Sequence, residues 1–478
     1  MNREPEPPGR LASAGRGACA GLIGGLVSGA ALARLDRLPE IAHLTGTNAV
    51  AVGWAVHLGL AQLLGAGFAV LIRRQRAGTG ETVFWGLGYG MFCWYVGVLT
   101  LLPLLGRETP AWGVPAARAA FPLLLGEMLG GVITAVGLAA LNHTGPVRIR
   151  RRALLAGLAA GLGATWGLAA SLRASGSILV AGQGLWVALG LGVGAGLGYA
   201  WLFPGAGRSL GPATVQGAGY GFLLWVIFPL TVQPLLREGE LLWSADQVQA
   251  RFATLPVYVL YGALIAVLHT AAAWLGRLLL AAPAERADEE GLGARTLRAV
   301  GWGASAGVIG GLLFTVIMVQ IGYLSTVAGL VGSNVTGVGL AVHLAVSVIL
   351  GASYGLLFRR QSDDLVSGVG WGLSYGFLWW VLGALTVLPL ALGGDPQWSA
   401  AGAAAGFPSL VGHLVYGAGV GAVFHRLEAR HDPWWIHRVS AAARRAAAIR
   451  RRTERQRSAP AVWALVVPMA VTMLVVLG

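Results

Sequence analysis

The chain has 478 residues, 56% of them hydrophobic and only 11% charged, with a mean hydropathy of +0.68. A soluble protein carries about twice that share of charge, so the composition excludes a soluble globular enzyme and points to a polytopic membrane protein. The formal net charge of +14 comes from arginine alone, since lysine is absent. The arginines fall between apolar runs, where the positive-inside rule places them, and this argues against a nucleic-acid partner.

Residues 1–16 are polar and Pro-rich and read as a cytoplasmic tail, not a cleavable signal. Apolar helices are then expected at 17–33, 49–72, 82–105 and 119–141. A second set is expected at 153–172, 178–203, 212–236 and 252–276, and a third at 299–322, 336–358, 366–391 and 405–424. A charged linker, 281–298, separates the second set from the third. After 426–460, a basic stretch, a short apolar run at 461–477 reads as a thirteenth span ending outside. Most of the 34 arginines fall on the side of the N-terminus, which places that side in the cytoplasm.

Self-comparison organises these helices. Tyr89, Gly90, Trp94, Thr100, Pro103, Trp112, Phe121 and Gly131 recur without a gap as Tyr220, Gly221, Trp225, Thr231, Pro234, Trp243, Phe252 and Gly262. They recur again as Tyr375, Gly376, Trp380, Thr386, Pro389, Trp398, Phe407 and Gly417. The fold expected is therefore an all-α polytopic membrane protein. Three parallel four-helix repeats, 17–142, 153–280 and 299–425, would form a pseudo-three-fold arrangement, with the thirteenth helix added. Within each repeat the helices are a to d in chain order. The prolines are expected to end or kink helix c, and Trp112, Trp243 and Trp398 to anchor the outer c–d loops at the interface. Glycines at small-xxx-small spacing are expected to pack helices backbone to backbone. Cys19 and Cys93 read as small core residues without metal-type spacing.

Ionisable residues inside spans are the functional candidates. His57 and His343 match one another on helix b, and Ala188 stands at that position in the middle repeat. Glu127, Tyr258 and His413 match on helix d, and Thr100, Thr231 and Thr386 on helix c. Together they form an expected polar layer in the outer half of the membrane, with Glu127 the only carboxylate well inside a predicted span. Imidazoles at that depth can sense or carry protons. They can also serve only as interhelical hydrogen-bonding groups, bonded to a Thr hydroxyl or to a carbonyl freed near a proline. The His and Glu residues are too sparse to predict a metal site, and no cofactor is expected. No CxxCH, HExxH, phosphate loop or nucleophile elbow occurs, so no catalytic residue is assigned and no enzyme is expected.

In the basic stretch, Trp434 and Trp435 precede Arg444, Arg445, Arg450, Arg451 and Arg452. This pattern suits an interfacial helix on anionic lipid headgroups, and equally a charge cluster that sets topology.

The stretches VHLAVSVILGASYG (342–355), TVLPLALGGDPQW (386–398) and FPSLVGHLVYG (407–417) resemble the YagU-like family of small bacterial inner-membrane proteins. The resemblance implies a bacterial inner-membrane protein associated with acid resistance. It also implies that His343 and His413 match the family's histidines, with His57 matching in the first repeat. The sequence thus leads to an expected transport or channel-like protein with a pH-responsive polar layer. The alternative is a non-catalytic structural or accessory subunit of a membrane complex, or a lipid-binding membrane protein.

Overall fold

The computed structural model describes residues 9–75, 78–142, 151–174, 185–204, 210–280, 292–359, 361, 364–430, 462 and 465–477. Among these residues all regular structure is helical. Four helices form the first segment: α1 (Arg10–Arg34), α2 (Val50–Ile72), α3 (Thr79–Leu105) and α4 (Phe121–Asn142). The middle segment has α5 (Arg151–Ala174), α6 (Leu185–Leu202), α7 (Leu210–Arg237) and α8 (Thr254–Leu280). The last has α9 (Leu292–Gln320), α10 (Thr336–Phe358), α11 (Leu365–Ala391) and α12 (Phe407–Ala429), and α13 (Leu465–Leu477) follows. Ten of these helices are long and apolar enough, among the described residues, to cross a membrane. Shorter apolar helices at Ala153–Thr165, Leu189–Leu202 and Leu465–Leu477 fall where three further spans are expected.

Several boundaries differ from the sequence reading, three of them by enough to matter. Helix α1 begins at Arg10, inside the expected tail, because the Leu-Ala-Ser-Ala run after Gly9 continues the helix without a breaker. Helix α9 begins at Leu292, inside the expected linker, and α12 runs on to Ala429. The middle-segment turn Gly176-Ser177 and the residues Trp434, Trp435, Arg444, Arg445, Arg450, Arg451 and Arg452 lie outside the described residues.

Each segment packs in the same order. The first helix lies between the second and the fourth, and the third helix packs on the fourth. Glycine makes these contacts possible. A methyl on Gly17 would collide with the Gly65 carbonyl, one on Gly157 with that of Gly196, and one on Gly303 with that of Gly351. Between third and fourth helices, Gly86, Gly217 and Gly372 meet Gly131, Gly262 and Gly417 in the same way. Lipid supplies no hydrophobic drive between helices, so this close backbone approach is what gives the pairs their dispersion energy.

The matched tyrosine closes each bundle. Tyr89 donates to the Leu64 carbonyl at 3.1 Å, Tyr220 to that of Ala195 at 2.8 Å, and Tyr375 to that of Leu350 at 2.8 Å. Each bond joins the third helix to the second. Segments meet through α3 on α6, and through α7 on α10 and α11.

Helix α13 is set into this body. Leu465, Met469, Thr472, Met473 and Val476 are each at most 1% exposed. It faces Leu255 and Val259 of the middle segment and Phe377, Trp380 and Val381 of the last across a gap about one water wide. Its final turn is held by Arg118 of the first segment, whose guanidinium donates to the carbonyls of Val475 (3.1 Å) and Val476 (2.9 Å). The same guanidinium pairs with Asp246 at 2.6 Å, in the middle segment.

Candidate functional site

Helix c of the sequence reading is not a plain α-helix. A π-helical stretch interrupts it at Trp94–Leu101, Phe228–Val232 and Trp380–Val387, and an α-helical turn containing Pro103, Pro234 or Pro389 follows. The expected termination or kink is therefore replaced by a widened turn. Proline lacks an N–H and crowds the carbonyl four residues back, and the wider π turn relieves both problems. The carbonyl that Pro103 leaves open, on Leu99, accepts from the backbone of Ala111 at 2.8 Å. That of Leu385, opposite Pro389, accepts from Gln397 at 2.8 Å.

The three threonines sit in this widened turn. Thr100, Thr231 and Thr386 each donate to the carbonyl five residues back, on Tyr95, Val226 and Val381, at 2.7–2.9 Å. Each hydroxyl also accepts from an indole: Trp112 at 3.1 Å, Trp243 at 3.2 Å and Trp398 at 2.9 Å. The tryptophans expected as interfacial anchors thus latch the c–d loop onto the helix, and Trp243 is only 1% exposed. A second indole pins the base of the loop. Trp94 donates to the Ala120 carbonyl at 2.9 Å and Trp380 to that of Gly406 at 3.0 Å, while Trp225 uses the Thr254 hydroxyl at 2.9 Å.

His57 and His343 have the same partner in their own segments. Nε2 of His57 donates to the Gly25 carbonyl at 3.0 Å, and Nε2 of His343 to that of Gly311 at 3.0 Å. A carbonyl only accepts, so the proton is on Nε2 in both rings. Both histidines are buried and tie the second helix to the first. Ser28 adds its hydroxyl 3.1 Å from the His57 nitrogen.

At the position of Ser28 the last segment has Phe314, and this ring brings two candidates together. Phe314 makes an edge contact with His343 at 5.2 Å between centroids and with His413 at 4.8 Å. It fits because Gly412 leaves room that a side chain would fill. Nδ1 of His413 donates to the Ser409 carbonyl at 2.8 Å, one turn back along α12. Glu127 and Tyr258 hold the matching places in the other segments, where Gly90 and Gly221 pack on their carbonyls. Ala188 lies on α6. Among the described residues no group of three or more His, Cys, Asp and Glu side chains could hold a metal ion. Cys93 is buried as expected, while Cys19 is exposed because it lies on the outward face of α1.

A cavity of about 520 Å³ opens above His413. Its walls come from the a–b loop of the last segment (Tyr323, Thr326), the end of α11 (Leu385, Leu388), the latched loop (Gln397) and the start of α12 (Ser409). Its lining holds no charged side chain. The Ser409 residue is 2% exposed and its hydroxyl has no hydrogen-bond partner among the described residues. A buried hydroxyl left alone costs about 1–3 kcal/mol, and this one is closed off from the open cavity beside it. The first segment has Arg37 and Glu40 where this cavity has Tyr323 and Thr326, and there the two charges pair with each other.

Sequence reasoning missed this cavity because the loops that wall it carry no motif. It also missed Glu81, a second carboxylate in a membrane helix, which is 8% exposed in the first turn of α3. Position 81 lies just before the predicted span at 82–105, which is why it escaped notice. No family model matches the chain, and no curated protein or solved structure matches it.

Proposed function

We propose that this integral membrane protein is a transporter or channel-like protein whose entry is the cavity of the last segment. That uncharged cavity, walled by Tyr323, Thr326 and Gln397 and one helical turn from His413, carries the reading. A cavity without charged groups is costly for a bare ion and favours a neutral solute. In this reading His413 is the ionisable group below the entry. His57 and His343 tie helices together, and so stand apart from the pH-responsive layer expected of them. The proposal includes three parallel four-helix copies with twelve spans, a thirteenth span, a cytoplasmic N-terminus and a C-terminus outside. It places the chain in a bacterial inner membrane, as its likeness to the YagU-like family suggests, with anionic lipid headgroups at the basic stretch.

Flux into proteoliposomes between about pH 5 and 8 tests it, with proton- and solute-sensitive dyes. The protein should give flux above empty liposomes, and His413→Phe should lower it while His57→Ala leaves it near the parent level. No flux, or an unchanged His413→Phe variant, refutes the reading.

A second reading is an accessory or structural subunit of a membrane complex. The use of both helix-b histidines as internal ties favours it. Under this reading the protein purifies in mild detergent with stoichiometric partners and gives no flux.

A further inference from the structure

A second polar cluster lies deeper along the middle segment. His269 on α8 is about 16 Å from Tyr258, at roughly 1.5 Å per residue. It is 1% exposed, and among the described residues its ring nitrogens have at most the Ala153 carbonyl as a hydrogen-bond partner. Its ring meets that of Tyr199 on α6 edge to face, 5.5 Å between centroids. Tyr199 is 0% exposed, and its hydroxyl is without a partner among the described residues. The hydroxyl of Thr270, next to His269 and 4% exposed, is a second such group. The Ala153 carbonyl on α5 approaches the imidazole, and the Glu81 carboxylate of the first segment lies within electrostatic reach of Tyr199.

The matched positions elsewhere solve the same packing problem without loose polar groups. The last segment has Tyr354 against Phe424, 5.7 Å between centroids, and there the tyrosine hydroxyl donates to the Gly368 carbonyl at 3.0 Å. The first segment has Phe68 and Leu138, both buried. The four-helix unit therefore does not require a histidine here. An imidazole and a phenol both left dry would each carry a desolvation cost that Phe or Leu avoids.

We infer that Tyr199 and His269 enclose a buried water-binding site between α6 and α8. A water there accepts from the Tyr199 hydroxyl or the imidazole N–H and donates to the other ring nitrogen or to the Ala153 carbonyl. Three or so such partners are what buried waters ordinarily have. The site gives the middle segment an exchangeable proton position of its own, where the helix-b histidine is replaced by Ala188.

Water-edited solid-state NMR on histidine-labelled protein in liposomes tests this. The His269 ring signal is identified by its absence from His269→Phe, the residue found at position 424. The expected result is transfer from water to the His269 ring nitrogens, lost in Tyr199→Phe, which copies position 68. Both variants should remain folded by size-exclusion chromatography, and Tyr199→Phe should not raise the melting temperature. Absence of transfer to His269 while His43 shows it overturns the inference. So does a Tyr199→Phe variant that melts higher, the mark of a dry, unpaired hydroxyl removed.

Discussion

At the residue scale, polar side chains that look alike in the sequence have different tasks. His57, His343 and His413 all sit in apolar helices, yet the first two bond to a carbonyl of the neighbouring helix and the third to its own. A single interhelical bond in a membrane contributes about 0.6–2 kcal/mol. His343→Ala should therefore lower stability by about that amount, read as a modest drop in melting temperature in detergent. A loss much larger than this would mean that the edge contact with Phe314 matters more than the hydrogen bond. The sequence could mark the histidines as unusual but could not reveal their partners, because Gly25 and Gly311 act through backbone carbonyls, which carry no signature. His269 lies inside the expected span 252–276 but is not singled out there, because the corresponding positions hold Leu138 and Phe424 and so no histidine recurs.

At the element scale, the matched positions proved to be contact residues. Tyr89 closes the bundle, Gly90 admits the fourth helix, Trp94 and Trp112 hold the loop, and Thr100 sits in the π turn that Pro103 demands. Their recurrence was legible as spacing. The π-helix was not, since no residue type specifies it and it arises from proline, threonine and the loop together. A close backbone approach lies at the glycine after each tyrosine. A methyl on Gly376 would meet the His413 carbonyl oxygen, with backbone on both sides and nothing flexible to give way. Gly376→Ala should destabilise by about 1–3 kcal/mol or more, as overpacking does, with exchange of α12 amides speeding up in hydrogen–deuterium exchange. Gly88, which has open space around it, gives the control: Gly88→Ala should be neutral or stabilising in the same assay.

At the scale of the whole molecule, α13 is the least anticipated element. Its composition reads as one more lipid-facing span, but one face of it is buried from Leu465 to Val476 against elements of the middle and last segments. Arg118 fastens its end through two carbonyls and joins the first segment to the middle one through Asp246. Hydrogen bonds from a charged donor contribute about 1.5–3 kcal/mol, so Arg118→Met should lower the melting temperature and expose Met473 to oxidation. Unchanged melting would show that the helix holds its place by packing alone. The all-helical, membrane-embedded character was legible from composition, and glycine was legible as a packing residue, but which helices it joins was not, since spacing alone names no partner. The cavity was not legible, because the uncharged loop residues that wall it, Tyr323 and Thr326 among them, carry no motif.

The central claim is that solute enters through that cavity. The most direct measurement places a single cysteine at Thr326, with Cys19 and Cys93 replaced by alanine, and follows flux in oriented proteoliposomes before and after a membrane-impermeant thiol reagent. The account predicts labelling from the outer face and a loss of flux as the adduct fills the cavity. Complete labelling with undiminished flux would contradict it.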